Sequence, residues 1–156
     1  MPVRKTKDMS ISKSITLSSP KETFELGKGF GSDLKPPAFI GLVGPLGAGK
    51  TFLAKSIASG LGYDEHAVHS PTFTLMNIYE ARCRIYHFDF YRLEKPEEFL
   101  GLGLEEFFYD PDAVVIVEWA DRVKNYFPKH ACLIHLEFGK SETERIIEIE
   151  NEPSCV

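Results

Sequence analysis

The hydrophobic pattern of this chain changes period several times. Residues 38–43 (Ala-Phe-Ile-Gly-Leu-Val) and 113–117 (Ala-Val-Val-Ile-Val) are continuous short apolar runs, as expected of strands buried on both faces. After the first run, residues 52–62 place apolar side chains at helical spacing, with Gly60 and Gly62 as stop signals. Upstream, Ser19 reads as an N-cap, with Pro20 at the first helical position and Glu22 three residues after the cap. Phe24, Leu26, Gly27 and Phe30 form the expected buried stripe of that helix, and Lys35-Pro36-Pro37 ends it. A short edge strand is expected before it, at 14–18. Further on, 73–81 and 84–93 read as strands joined near Ala81-Arg82-Cys83, and 131–138 and 145–150 as a closing antiparallel hairpin. Short helices are expected at 96–100, 104–108 and 120–127, the first two broken by Gly101 and Gly103 and the third stopped by Pro128.

Between the first apolar run and its helix lies Gly44-Pro45-Leu46-Gly47-Ala48-Gly49-Lys50-Thr51, which meets every fixed position of the phosphate-loop pattern G-x-x-x-x-G-K-[ST]. Glycines let a backbone turn tightly and approach a polyphosphate, and the turned N–H groups make an anion nest. Lys50 adds a mobile charge for β- and γ-phosphates, Thr51 a hydroxyl for Mg²⁺, and the following helix its positive dipole end. Strand, loop and helix are the context the motif requires.

Three further positions bear on that chemistry. Glu118 closes the second apolar run, as the acid of a Walker B strand does beside Mg²⁺, although the usual residue there is Asp. Within 84–93 the period of two puts Tyr86, Phe88 and Phe90 on one face and His87, Asp89 and Tyr91 on the other. The polar face reads either as the solvated side of a hairpin or as a place where Asp89 faces the nucleotide. Thr72, in Ser70-Pro71-Thr72-Phe73-Thr74, reads either as a Ser-Pro turn residue or as a switch threonine beside a γ-phosphate.

Composition narrows the functional classes. A chain of 156 residues, 43% hydrophobic and 26% charged, suits one soluble globular domain, and no apolar run has the length of a membrane span. The net charge of −5 argues against strong direct binding to nucleic acid. The basic start, Met1 to Met9, lacks an apolar core and reads as a frayed tail rather than a secretory signal. Cys83, Cys132 and Cys155 are widely spaced without a C-x-x-C, which favours a reducing cytosol over disulfides or a zinc site.

Taken in order, several blocks resemble the TsaE family, small bacterial ATPases of tRNA threonylcarbamoyladenosine biosynthesis. They are Leu46 to Thr51, Ser70 to Leu75, Tyr86-His87-Phe88-Asp89-Phe90-Tyr91-Arg92-Leu93, Leu102-Gly103-Leu104-Glu105-Glu106 and Val117-Glu118-Trp119. The resemblance spans about 19–150. It implies an α/β, single-domain P-loop NTPase fold with a mixed, mostly parallel central sheet flanked by helices and antiparallel hairpin strands. The domain is expected over 13–151, with tails at 1–12 and 152–156. ATP and Mg²⁺ are the implied cofactors. The phosphates fall to Gly44, Leu46, Gly47, Ala48, Gly49, Lys50 and Thr51, the metal to Thr51 and Glu118. Asp89 is implied in metal or water positioning, and Thr72 in a switch-like loop. Catalysis is thereby assigned to Lys50, Asp89 and Glu118. The implied activity is weak ATP hydrolysis in the cytoplasm, in support of a two-protein threonylcarbamoyl transferase of the TsaD and TsaB type. That complex acts on the adenosine next to the anticodon, so tRNA is an indirect partner, and no membrane is involved. One departure is Phe52, where the family often has a second Thr. The rival readings are a small-metabolite kinase, whose Arg-bearing lid is hard to place with only Arg122 and Arg145 after Glu118, and a non-catalytic nucleotide-dependent binding module. Arg92 reads equally as an intrinsic arginine finger or as a structural ion pair.

Overall fold

The computed structural model describes residues 11–153. Residues 1–10 and 154–156, which belong to the two expected tails, lie outside the described residues, as does Cys155. The described chain forms one seven-stranded sheet. In chain order its main elements are β1 (Ile11–Leu17), α1 (Pro20–Asp33), β2 (Ala38–Val43), α2 (Lys50–Gly60), β3 (Met76–Glu80), β4 (Arg84–Asp89), α3 (Glu98–Gly101), α4 (Glu105–Phe108), β5 (Ala113–Glu118), β6 (Cys132–Phe138) and β7 (Arg145–Glu150). A 3-10 segment, Ala120–Tyr126, follows β5 and is kinked at Val123.

The strands lie in the order β1-β7-β6-β2-β5-β4-β3. The centre, β6-β2-β5-β4, is parallel. β3 extends it antiparallel on one side, β7 and β1 on the other. This is the mixed α/β sheet expected from the sequence. β2 and β5 are the two continuous apolar runs, and they pair directly, Ala38 opposite Val114 through Leu42 opposite Glu118. Central parallel strands covered on both faces need apolar side chains in both directions.

Each face has its own core. Ile40, Leu42, Val114, Ile116, Ile134 and Ile147 meet Leu53, Ile57 and Leu61 of the α2 segment. Against the other face, Phe39, Phe88, Phe90, Phe99, Phe108, Val115 and Val117 form an aromatic layer, with Phe39 and Phe108 edge-on at 4.8 Å. The aromatic side of β4 is thus core, as its alternation predicted. On the α2 face, α1 begins as read: Ser19 Oγ accepts from the Glu22 N–H at 3.2 Å, and the Glu22 carboxylate accepts from the Ser18 N–H at 2.7 Å. Its buried stripe is narrower than expected, made of Thr23, Gly27 and Gly31, while Phe24, Leu26 and Phe30 are only partly covered. Small residues here let α1 approach α2 closely, because a Cβ on Gly31 would meet the Ile57 carbonyl.

Three boundaries differ by three residues or more from the sequence reading. β1 begins at Ile11, earlier than residue 14. β3 begins at Met76 because Pro71 to Leu75 form a turn, the Leu75 N–H returning to the Pro71 carbonyl at 2.7 Å. β4 ends at Asp89 rather than 93.

Candidate nucleotide site

The site lies at the carboxyl ends of β2, β5 and β4, the crevice where open α/β sheets bind ligands. β2 delivers the loop 44–49, and α2 starts at Lys50. Gly47 and Gly49 have φ of 84° and 107°, conformations in which a side chain is strained. Gly49 is the N-cap of α2 and offers no side-chain acceptor, and no acidic residue occupies the first turn. The helix therefore starts with N–H groups that no side chain caps, a ready anion site. α1, with its Ser19 cap, shows the contrast.

Lys50 folds back over the loop. Its Nζ donates to the carbonyls of Gly44 and Pro45 at 2.7 and 2.9 Å and lies 4.0 Å from the centre of the Trp119 ring. Desolvation lowers the pKa of this ammonium, opposed by the charges of Glu118, Asp89 and Asp121. Leu46 is exposed and Ala48 buried; the Ala48 carbonyl accepts from Arg145 Nε at 2.9 Å.

Glu118 is 2% exposed. Its Oε1 accepts from Thr51 Oγ1 at 2.7 Å, and its Oε2 meets His87 Nε2 at 2.7 Å. Asp89 sits beside it in the β4–β5 register. Its Oδ2 accepts from Thr72 Oγ1 at 2.8 Å and its Oδ1 from the Tyr91 N–H at 2.8 Å. With its one hydroxyl proton given to Asp89, Thr72 accepts from Ser70 Oγ at 2.7 Å. The solvated-hairpin reading of the β4 polar face does not hold. His87 and Asp89 are 0% and 2% exposed, because that face turns toward α2 and the loop rather than toward water. Only Tyr91, beyond the strand, is exposed.

Leu46, Gly47, Gly49, Lys50, Thr51, Thr72, Asp89 and Glu118, all named from the sequence, line one cavity of about 330 Å³ together with Tyr91 and Trp119. Sequence reasoning assigned no role to His87 or Tyr79, although both lie in the site's buried network: Tyr79 Oη meets His87 Nδ1 at 2.9 Å. The available signal was that His87 shares the Asp89 face two residues away. Arg92 makes no ion pair among the described residues. It lies over the Phe73 ring, 4.9 Å from its centre. Arg122 donates to the carbonyls of Tyr91 and Leu93 and stacks on Trp119. Phe52 packs against Phe24, ring centres 6.0 Å apart.

Among the described residues, no group of three or more His, Cys, Asp or Glu side chains forms a self-contained metal cage. Thr51 and Glu118 instead bring two hard oxygen donors together. This fits Mg²⁺, which is commonly held by one or two protein oxygens together with substrate phosphates and water.

A parallel-centred α/β sheet, a phosphate loop between β2 and α2, and a buried acid at the end of β5 bonded to the loop's threonine define a P-loop-type protein. Similarity to known proteins gives the family. The family model described as "Threonylcarbamoyl adenosine biosynthesis protein TsaE" matches residues 17–147. The tRNA threonylcarbamoyladenosine biosynthesis protein TsaE of Rickettsia prowazekii is 40% identical over 138 residues, 88% of this chain and 94% of that protein. The protein of the same name from Treponema pallidum is 38% identical over 118 residues, 76% of this chain and 86% of that one. Among solved structures, Bacillus subtilis YdiB superposes with a TM-score of 0.74 at 28% identity, covering 92% of this chain and 88% of that one. The chain belongs to the TsaE family.

Proposed function

We propose that this protein binds ATP with Mg²⁺, hydrolyses it slowly, and supports a cytoplasmic two-protein threonylcarbamoyl transferase of the TsaD and TsaB type. That transferase modifies the adenosine next to the anticodon, and tRNA is met through it. The observation that carries this reading is the Thr51–Glu118 hydrogen bond at the lip of the phosphate loop, with Lys50 and Asp89 lining the same cavity.

The loop N–H groups and Lys50 bind the β- and γ-phosphates, Lys50 exchanging the Gly44 and Pro45 carbonyls for phosphate oxygens. Thr51 and Glu118 would hold Mg²⁺, which supplies charge neutralisation at those oxygens. Asp89, with Thr72 on its Oδ2, orients the attacking water. Tyr91 and Trp119 wall the cavity and restrict solvent. Turnover is slow because, among the described residues, no arginine is free in the cavity: Arg122 is engaged with Tyr91 and Leu93, Arg145 with Ala48 and Glu142, and Arg92 lies over Phe73 outside the cavity lining. A cation supplied in trans is worth about 10³–10⁵ in rate in related chemistry.

The test is ATP turnover by the purified protein, alone and with the transferase pair, with Lys50→Ala and Glu118→Ala as controls. Slow turnover that rises with the pair and vanishes in both variants supports the reading. Turnover indifferent to the pair removes the transferase role.

A further inference from the structure

Glu118 has two carboxylate oxygens, and the site described above uses one. The other, Oε2, is turned toward β4, where His87 Nε2 stands 2.7 Å away. His87 is fully buried, and its second nitrogen meets Tyr79 Oη at 2.9 Å. The contacts form a chain across three strands and a helix: Tyr79 on β3, His87 on β4, Glu118 on β5 and Thr51 on α2. Tyr79 is 4% exposed and stacked on Tyr63 with ring centres 4.6 Å apart. Its hydroxyl also donates to the His69 carbonyl at 3.2 Å, and that carbonyl accepts as well from Asn77 Nδ2 at 3.1 Å. The far end of the chain is thus tied to the base of the loop that carries Thr72.

We propose that His87, held by Tyr79, is the positioning residue of the metal site: its Nε2–H fixes Oε2 of Glu118 so that Oε1 alone is presented to Thr51 and Mg²⁺. The physical argument concerns a single torsion. A carboxylate at a strand end, bonded on one oxygen, turns about its last side-chain bond, and each orientation offers a metal a different edge. A donor on the inner oxygen removes that freedom. It also satisfies a lone-pair set that would otherwise be buried without a partner. Tyr79, whose hydroxyl meets Nδ1 and is itself anchored on the His69 carbonyl, holds the ring in that orientation. Neither residue touches the nucleotide pocket, so neither acts on phosphate directly. Partners that orient a metal ligand in this way typically change metal affinity by about 10–100-fold when removed.

This inference rests on the Mg²⁺–nucleotide reading above. The test is an equilibrium titration of Mg²⁺ into the full chain with a fluorescent ADP analogue. It reads the half-saturating Mg²⁺ concentration and, separately, nucleotide affinity in EDTA. In His87→Phe, which keeps a flat ring and removes the donor, the Mg²⁺ requirement rises by about 10-fold or more, while affinity in EDTA stays within about threefold. In His87→Gln, which restores an N–H at the Nε2 position, the requirement returns to within about threefold of the unaltered protein. Tyr79→Phe retains the stacking on Tyr63 and gives a smaller rise, about threefold. It decides the matter if His87→Phe fails to fold. An unchanged Mg²⁺ requirement in His87→Phe or Tyr79→Phe, or an equal loss in His87→Gln and His87→Phe, overturns the proposal. An unaltered protein whose nucleotide binding ignores Mg²⁺ overturns the metal reading as well.

Discussion

Thr51 Oγ1 donates to Glu118 Oε1 at 2.7 Å, joining the first turn of α2 to the end of β5. Among the described residues neither atom has another side-chain partner, which leaves the pair open to a cation coming between them. Glu118→Gln keeps the shape but withdraws the charge. It is expected to lower ATP turnover by about 10²-fold or more, the scale of losing an electrostatic stabiliser at a reacting phosphate, and to raise the Mg²⁺ requirement. Steady-state hydrolysis measured across a Mg²⁺ series checks both.

Lys50 lies on Trp119, the single tryptophan of the chain. Phosphate binding is expected to draw the ammonium away from the ring and so to change the indole emission on adding nucleotide. In Lys50→Ala the resting emission is already altered and the nucleotide-induced change is largely lost. Intrinsic fluorescence during an ADP titration reads this directly, and an unaltered response in Lys50→Ala would show that the ammonium does not move.

The α1–α2 contact is made by Gly31 against the Ile57 carbonyl. Gly31→Ala gains helix propensity of about 0.5–1 kcal/mol but overpacks a backbone contact, which costs about 1–3 kcal/mol. Backbone cannot swing aside as a side chain does, so the cost wins. A net loss of about 1–2 kcal/mol corresponds to a fall in Tm of roughly 2–8 °C, read by thermal denaturation.

Cys132 is fully buried in β6. Desolvation, reinforced by the charges of Glu152 and Glu150, pushes its thiol up to about 12. The folded protein thus keeps a proton that the unfolded chain releases near pH 8.5. The associated stability is fully present below that pH and is lost as pH rises toward 12. Urea midpoints at pH 7, 9 and 10 are expected to fall along this series, more steeply than in Cys132→Ala. Alkylation at pH 8 should leave Cys132 unmodified until the protein is unfolded.

Much of the site was legible because its chemistry is local. The phosphate loop, its strand and helix, and the Ser19 cap each depend on spacing within about ten residues. The acid at the end of β5 could be read because a continuous apolar run announces a central strand. The polar face of β4 was ambiguous for a physical reason. Alternation separates two faces but does not say what covers each, and only the β4–β5 register places His87 and Asp89 beside Glu118. Strand order was likewise hidden, since β2 pairs with β5 and β6, neither its neighbour in sequence. A Ser-Pro turn was one of the two readings of Thr72, but its extent to Leu75 was not legible, because Leu75 adopts φ of 71° without being glycine.

Lys50 opens α2, Asp89 and Glu118 close β4 and β5, and Thr51 is separated from Glu118 by 67 positions. No contiguous fragment of the chain contains the pocket. A state with only the β6–β7 and β1 hairpin region formed, or only α1 docked on α2, has nothing to offer a triphosphate. Ligand affinity in this protein therefore reports the completed parallel layer as a whole. A destabilising change far from the loop, such as one in the aromatic layer around Phe108, should diminish binding in proportion to the population that has finished folding, leaving the affinity of the folded molecules unaltered.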